Sequence, residues 1–345
     1  MIKVKKHGVI LEATSRQFEN RGVLNPAVYQ EGDLVHVIYR AVDKDYNSCL
    51  GYAKFEHGTK LLTRWDKPFM EAKYQYESKG MEDPRITKFK DGTIYMTYVA
   101  HDGKNAQIAY ASGQDLFDLK RGGLIGPKIQ YKDAGRYFRS AGNKLKDDYY
   151  FMESYYREYG GDDILIWEKD GLLFPEKIRG KYVLTHRILP DVQICYFKDF
   201  KELKTKRFWI DYLKDFDQHV VLEGKHGFEE RHIGGGAPPI KTEDGWLMIY
   251  HGVEESNKRR VYHAAAALLD LKNPSKVVAR LPYPLFSPDQ PYELTGHVNN
   301  VVFPSGTALI NERLYIYYGA ADNKIAVASI GLNYLLDELR KYQEE

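Results

Sequence analysis

Five segments of the chain repeat one grammar, and that recurrence constrains the fold more than any other feature. They are "GDLVHVIYRAVDKDYNSCLGYAKF" from Gly32, "DGTIYMTYVAHDGKNAQIAYASGQDL" from Asp91, "GKYVLTHRILPDVQICYFKDF" from Gly180, "DGWLMIYHGVEESNKRRVYHAAAALLDL" from Asp244 and "NERLYIYYGAADNKIAVASIGL" from Asn311. Each opens on a polar turn, runs through a strand rich in Tyr, Ile and Val, and crosses a short polar tip. A second strand with small residues follows. That is the turn chemistry and alternation of a β-hairpin. A hairpin cannot cover both of its own faces, so neighbouring copies must do it. Radial repetition of sheets about an axis meets that need, and five copies predict an all-β fold, a five-bladed β-propeller. The copies start about 60–90 residues apart, so insertions between blades absorb the excess. A solenoid would need a tighter period.

Helix is expected to be scarce. The clearest candidate is the short C-terminal "NYLLDELRKYQ", which puts Leu335, Leu336, Leu339 and Tyr342 on one face. No linker interrupts the pattern, so residues 1–345 read as a single domain with terminal extensions. At 43% apolar content the chain has ample material for its core.

Charge and composition exclude several classes. The 50 basic and 48 acidic residues leave a net charge of +2, without the basic patch of a nucleic-acid binder. No apolar run approaches the ~20 residues of a membrane helix. The start "MIKVKKHGVILEATSR" lacks the apolar segment of a signal peptide. Cys49 and Cys195 are the only cysteines, too few for a disulfide framework or a four-cysteine zinc site. Scattered histidines show no metal-ligand spacing. Cytoplasmic location is the simplest expectation, with no cofactor and no metal, and a homo-oligomer is left open. The 28 tyrosines suit β-sheet packing, and some have the faces on which sugar rings stack.

Polar residues fall just after the first strand of each hairpin: Arg40, His101, Arg187, His251 and Asp322. In a radial array such positions point to one end of the axis, where unlike polar groups form a pocket. A further signal is "GMEDPRI", residues 80–86. Pro84 cannot donate to a ladder and fits the first position of a strand. It also biases Asp83 toward an extended backbone, which would hold a carboxylate rigidly at a strand mouth. The alternative is an Asp-Pro turn paired with Arg85.

Taken in order, "NPAV" (25–28), "YRA" (39–41), "EDPRI" (82–86), "LFPEKIRGKYVLTHR" (173–187), "GGGAPPIKTEDGWLMIYHGV" (234–253) and "YYGAAD" (317–322) resemble glycoside hydrolase family 130. That family comprises β-mannoside phosphorylases and some β-mannosidases on five-bladed propellers. The resemblance implies an enzyme that cleaves a mannose-containing oligosaccharide with inversion. It implies Asp83 as the general acid, relaying its proton through a sugar hydroxyl. Asn25, Arg40 and Asp322 would hold the transferred mannose. Arg187, His251 and Tyr262 would bind inorganic phosphate as co-substrate. The chain departs from the pattern at His232, where a lysine is usual but where a protonated ring would still bind phosphate, and at Lys169, near the place of an arginine.

These roles fit elementary chemistry. Phosphate is itself a nucleophile, so phosphorolysis needs one carboxylate and a cationic cradle. Hydrolysis needs a second carboxylate to activate water, ~6.5–9.5 Å from the first. Glu229, Glu230 and Glu254 are the candidates for it, each also readable as a surface acid. Glu176 and Lys177 either line the cleft or pair with each other. Gly234–Gly236 read as a tight backbone path. Phosphorolysis is the favoured expectation and water-driven β-mannoside cleavage the alternative. A non-catalytic carbohydrate-binding propeller is a third reading.

Overall fold

The computed structural model describes residues 2–140, 144–256 and 259–344. All five expected hairpins form. They are Leu34–Val42 with Ser48–Glu56, Ile94–His101 with Ala106–Gly113, Tyr182–Ile188 with Asp191–Phe197, Trp246–Ser256 with Arg259–Leu269, and Arg313–Ala320 with Lys324–Gly331. Each is the middle of a larger antiparallel unit. A strand preceding the hairpin pairs with it on one side: Gly22–Glu31, Gly80–Lys88, Lys169–Leu173, His232–Gly235 and Val302–Ile310 respectively. On the other side lie Lys60–Arg64, Lys120–Leu124, Val220–Leu222 and Val277–Arg280. The fifth unit takes its outer strand from the opposite end of the chain: Lys5–Leu11 pairs with Lys324–Gly331. The first and second units touch through one parallel bridge, Ser48 to Gly80.

Burial shows how the units are covered. Ala264–Ala267 is buried at every position, so that strand is packed on both faces. Its small side chains let neighbouring sheets approach closely. The apolar core divides into five clusters, each drawn mainly from two consecutive units. One joins Val37 and Val327 of the first and fifth units, and another joins Leu247 and Ile316 of the fourth and fifth. The others join the first to the second (Ile38, Met96), the second to the third (Ile108, Leu184) and the third to the fourth (Val183, Met248). Full burial of one such side chain is worth roughly 1.5–3 kcal/mol.

Helix is more abundant than the sequence suggests: among the described residues strands make up 46% and helices 19%. The C-terminal helix is present as Leu332–Leu339, with Leu335, Leu336 and Leu339 buried and Tyr342 just beyond its end. The longer unexpected helices are Tyr131–Phe138 and Asp147–Gly160, between the second and third units, and Lys206–Lys214 within the third. In Asp147–Gly160 the tyrosine-rich composition reads as strand, yet Tyr149, Met152 and Glu153 fall on one buried face at helical spacing. Among the described residues no helix is long and apolar enough to cross a membrane.

Candidate active site

The first strands of three consecutive units are broken at one place. Their ladders slip between Leu24 and Ala27, Glu82 and Arg85, and Lys169 and Leu172. Inside each bulge sits a residue with left-handed backbone: Asn25 at φ 48°, Asp83 at φ 49° and Asp170 at φ 55°. This corrects two expectations. Asp83 is not extended, and Pro84 lies inside the strand Gly80–Lys88, where the ladder is already interrupted and needs no donor. Asn and Asp tolerate this backbone better than most residues. The strain, roughly 1–3 kcal/mol per site, is held by Arg85, which is 1% exposed. Its Nη1 donates to the carbonyls of Asp83 and Pro84 at 3.0 Å, and its Nε donates to the carbonyl of Gly236 in the fourth unit. Arg85 therefore braces the bulge through backbone carbonyls.

The bulges gather a cluster of polar side chains. Asn25 Nδ2 donates to Asp83 Oδ1 at 2.8 Å. Arg40 Nη1 lies 3.7 Å from the same oxygen, while its Nη2 pairs with Glu82 Oε1 at 2.7 Å. Glu82 Oε2 takes Lys169 Nζ at 3.2 Å. Burial favours the neutral form of Glu82, but Arg40 and Lys169 outweigh it and hold the group at about 2. Asp322, left-handed at φ 51°, is pushed up to about 6 by burial, with Arg40 opposing the rise. Asn25 Oδ1 is buried without a hydrogen-bond partner, leaving an acceptor for a ligand hydroxyl.

Beside this cluster lies a cavity of about 220 Å³. Lys169, Arg187, His232 and Tyr262 line it, together with Arg231 and Arg260. The helix Asp147–Gly160 and the segment after it add an aromatic wall of Tyr155, Tyr156 and Trp167. Arg187 Nη1 stands 3.1 Å from Asp170 Oδ2 and donates to His251 Nε2 at 3.1 Å. His251 thus lies behind Arg187. Burial first, then Arg187, keeps both His232 and His251 well below the usual histidine range. His232 is therefore neutral near pH 7, and the expectation that its protonated ring supplies charge is corrected. Burial also raises Asp170, against the pull of Arg187 and Arg85.

The register explains which hairpin residues converge. Arg40 and Arg187 pair with Leu24 and Lys169, the last residues before their bulges, and His251 pairs with Gly234. His101 sits two residues past the equivalent Val99, beside Trp167, and Asp322 lies in the turn after its strand. Gly234 has no room for a side chain: a Cβ would come within 2.5 Å of Asp170 Oδ2 and of His251. The three glutamates proposed to activate water lie elsewhere. Glu229 is buried against Tyr250 and Arg280, Glu230 accepts the amide of Glu255, and Glu254 faces His263. Glu176 pairs with Lys90 and Lys241, and Lys177 covers the ring of Tyr182, so these two neither line the cavity nor pair together. Sequence reasoning overlooked Glu82, Asp170, Arg231 and Arg260 as site residues. Asp170 carried a signal, since "Asp-Gly" inside the strand Lys169–Leu173 parallels "Asn-Pro" at Asn25 and "Asp-Pro" at Asp83.

Residues 6–341 match the profile of glycoside hydrolase family 130, described as β-1,4-mannooligosaccharide phosphorylase. The chain belongs to this family. It is 34% identical over 341 residues to a 1,2-β-oligomannan phosphorylase of Thermoanaerobacter sp. (strain X514), covering 95% of this chain and 97% of that protein. It is 33% identical over 346 residues to a β-1,2-mannobiose phosphorylase of the same organism, covering 96% and 97%. The expected family 130 enzyme is thus borne out, and the relatives over nearly the whole chain are β-mannoside phosphorylases. The fold matches the β-1,2-mannobiose phosphorylase from Listeria innocua in complex with β-1,2-mannobiose, with a TM-score of 0.73 at 22% identity over 99% of this chain and all of that one. A structure from work on family 130 hydrolases that target β-1,2 mannosidic linkages in Candida mannan matches as well, at 0.72. Family 130 architecture alone therefore does not separate phosphate from water as the nucleophile.

Proposed function

We propose that this chain is an inverting phosphorylase of β-mannosides, with inorganic phosphate as co-substrate and β-1,2-linked oligomannosides as the preferred substrate. One observation carries the choice of nucleophile. Among the described residues, the cavity beside Asp83 is lined by cations, aromatics and a neutral histidine, and by no carboxylate. Water attack needs a base there, whereas phosphate needs positive charge and hydrogen-bond donors. The β-1,2 preference rests on the two nearly full-length relatives.

In this reading Asn25, Arg40 and Asp322 hold the mannose over the bulges. Arg187, with Lys169, Tyr262 and His232 around it, holds phosphate. A phosphate oxygen bonds to the anomeric carbon as the bond to the leaving oxygen breaks. Asp83 supplies the proton for that oxygen through a sugar hydroxyl, and the proton lost by hydrogen phosphate restores the acid. Inversion converts the β-mannoside to α-mannose 1-phosphate. Asn25 fixes Asp83 Oδ1 as an acceptor, which leaves Oδ2 to carry the proton. His251 acts behind Arg187, fixing the guanidinium.

The scaffold we infer is a single-domain five-bladed propeller. Its support is the set of five inter-unit cores, the last joining the fifth unit to the first, and the N-terminal strand that completes the fifth sheet. The two unpaired cysteines fit a cytoplasmic setting.

The linkage is tested by turnover of β-1,2-mannobiose and β-1,4-mannobiose in phosphate, scored as mannose 1-phosphate. A β-1,2 preference of at least about tenfold in kcat/KM is expected. Equal rates, or a β-1,4 preference, would remove the linkage assignment.

A further inference from the structure

His232 lines the cavity and is held well below the usual histidine range by burial and by Arg187, and Lys169 has its charge answered by Glu82. Arg187 likewise faces Asp170. A phosphate dianion entering the cavity therefore meets two cations that already have partners. Further positive charge comes from Arg231 and Arg260, which line the same cavity. Arg231 immediately precedes His232 in the chain. Arg260 comes from the strand Arg259–Leu269, two residues before Tyr262.

Both guanidiniums lean on one carboxylate. Arg231 Nη1 contacts Glu255 Oε2, and Arg260 Nε lies 3.6 Å from Glu255 Oε1. Glu255 and Arg260 are cross-strand partners, so this arrangement is set by the ladder. Two cations share one anion, leaving an excess of one positive charge at the cavity wall. Arg231 Nε is buried without a hydrogen-bond partner, a cost that a bound anion would remove. Arg187, Arg231 and Arg260 all act electrostatically on His232 and on Tyr262, so the three converge on the same space.

Building on the phosphorylase reading above, we propose that Arg231 and Arg260 are phosphate-binding residues that take over the charge absent at His232, and that Glu255 holds them apart from phosphate until it binds. The carboxylate is then a competitor for the anion, and its removal strengthens phosphate binding. This opposite sign separates the proposal from a purely structural ion pair.

The test is the KM for inorganic phosphate in Arg231→Gln, Arg260→Gln and Glu255→Gln, with a β-mannobiose saturating. Each arginine variant is expected to raise phosphate KM by about tenfold, the loss of one charge-assisted hydrogen bond. The KM for mannobiose and kcat at saturating phosphate should change far less. Arg231→Lys should recover part of the loss, and Glu255→Gln should lower phosphate KM below that of the wild type. Arg260 is half-exposed, so its substitution remains informative even where Arg231→Gln folds poorly. An unchanged phosphate KM in Arg260→Gln, or a raised one in Glu255→Gln, overturns the proposal. Wild-type cleavage that does not depend on phosphate at all overturns the underlying phosphorylase reading instead, and is seen before any variant is made.

Discussion

Asn25 and Asp83 occupy equivalent bulges in adjacent units, share left-handed backbone at φ 48° and 49°, and are joined by a 2.8 Å hydrogen bond. The bond fixes one carboxylate oxygen and frees the other. Asp83→Asn keeps the shape and removes the proposed proton donor. Turnover of mannobiose should fall by roughly 10²–10⁴-fold, with much less loss on an aryl mannoside whose leaving group needs no proton. Steady-state rates on both substrates check this, and equal losses on the two would place the acid elsewhere.

Asp322 holds a raised value of about 6. In the unfolded chain the group titrates near ~3.9, so the folded protein binds the extra proton between these values. The associated stability is fully present below the unfolded value and is lost as pH rises through about 6. Asp322→Asn should match the wild type in stability near pH 4 and exceed it at pH 7.5, by on the order of 1–3 kcal/mol. Mannoside KM should rise at the same time. Urea midpoints across pH read the gap, and a gap of constant size would refute the assignment.

Asp170 is buried between Arg187 and Arg85, with Oδ1 4.0 Å from Arg85 Nη2. Asp170→Ala leaves two buried guanidiniums with an uncompensated charge, and a loss of about 3–5 kcal/mol is expected. Asp170→Asn retains the shape and hydrogen-bonding capacity and should cost less than half as much. Denaturant titration of both variants measures this. A loss in Asp170→Ala below about 1 kcal/mol would show that the pair is not a structural element.

His232 and His251 are kept neutral by burial and by Arg187. Phosphate affinity should therefore not follow a histidine titration. The ratio of phosphate KM between His232→Gln and wild type should stay constant from about pH 6 to about pH 8. A ratio that climbs toward low pH would mean that a protonated His232 binds phosphate.

The five hairpins were legible because strand alternation and Asp-Gly turns are local signals. Arg40 and Asp322 stood out as tip residues of that repeat. Asp83 stood out through its Asp-Pro pair, but at a strand mouth rather than in a bulge inside its strand, and Asn25, in a like bulge, entered only through the family resemblance. The bulges were hidden: the bias of a residue before proline favours extended backbone, and the contacts that accompany the left-handed Asp83 include non-local ones, from Asn25 to its carboxylate and from Arg85 to Gly236. The helix Asp147–Gly160 was obscured by tyrosines that suit strands, although its buried face follows helical spacing. The state of Lys169 could not be read from its neighbours in sequence, since its partner Glu82 lies 87 residues away. His232 illustrates the same limit, because burial and surrounding arginines, rather than residue type, decide its charge.

In the proposed reaction phosphate attacks the mannoside from a cavity that, among the described residues, no carboxylate lines. This is tested most directly by incubating the wild-type protein with β-1,2-mannobiose in phosphate and in phosphate-free buffer, and following the first products by NMR. α-Mannose 1-phosphate is expected with phosphate and almost no cleavage without it. Free mannose released at an undiminished rate in phosphate-free buffer would contradict it.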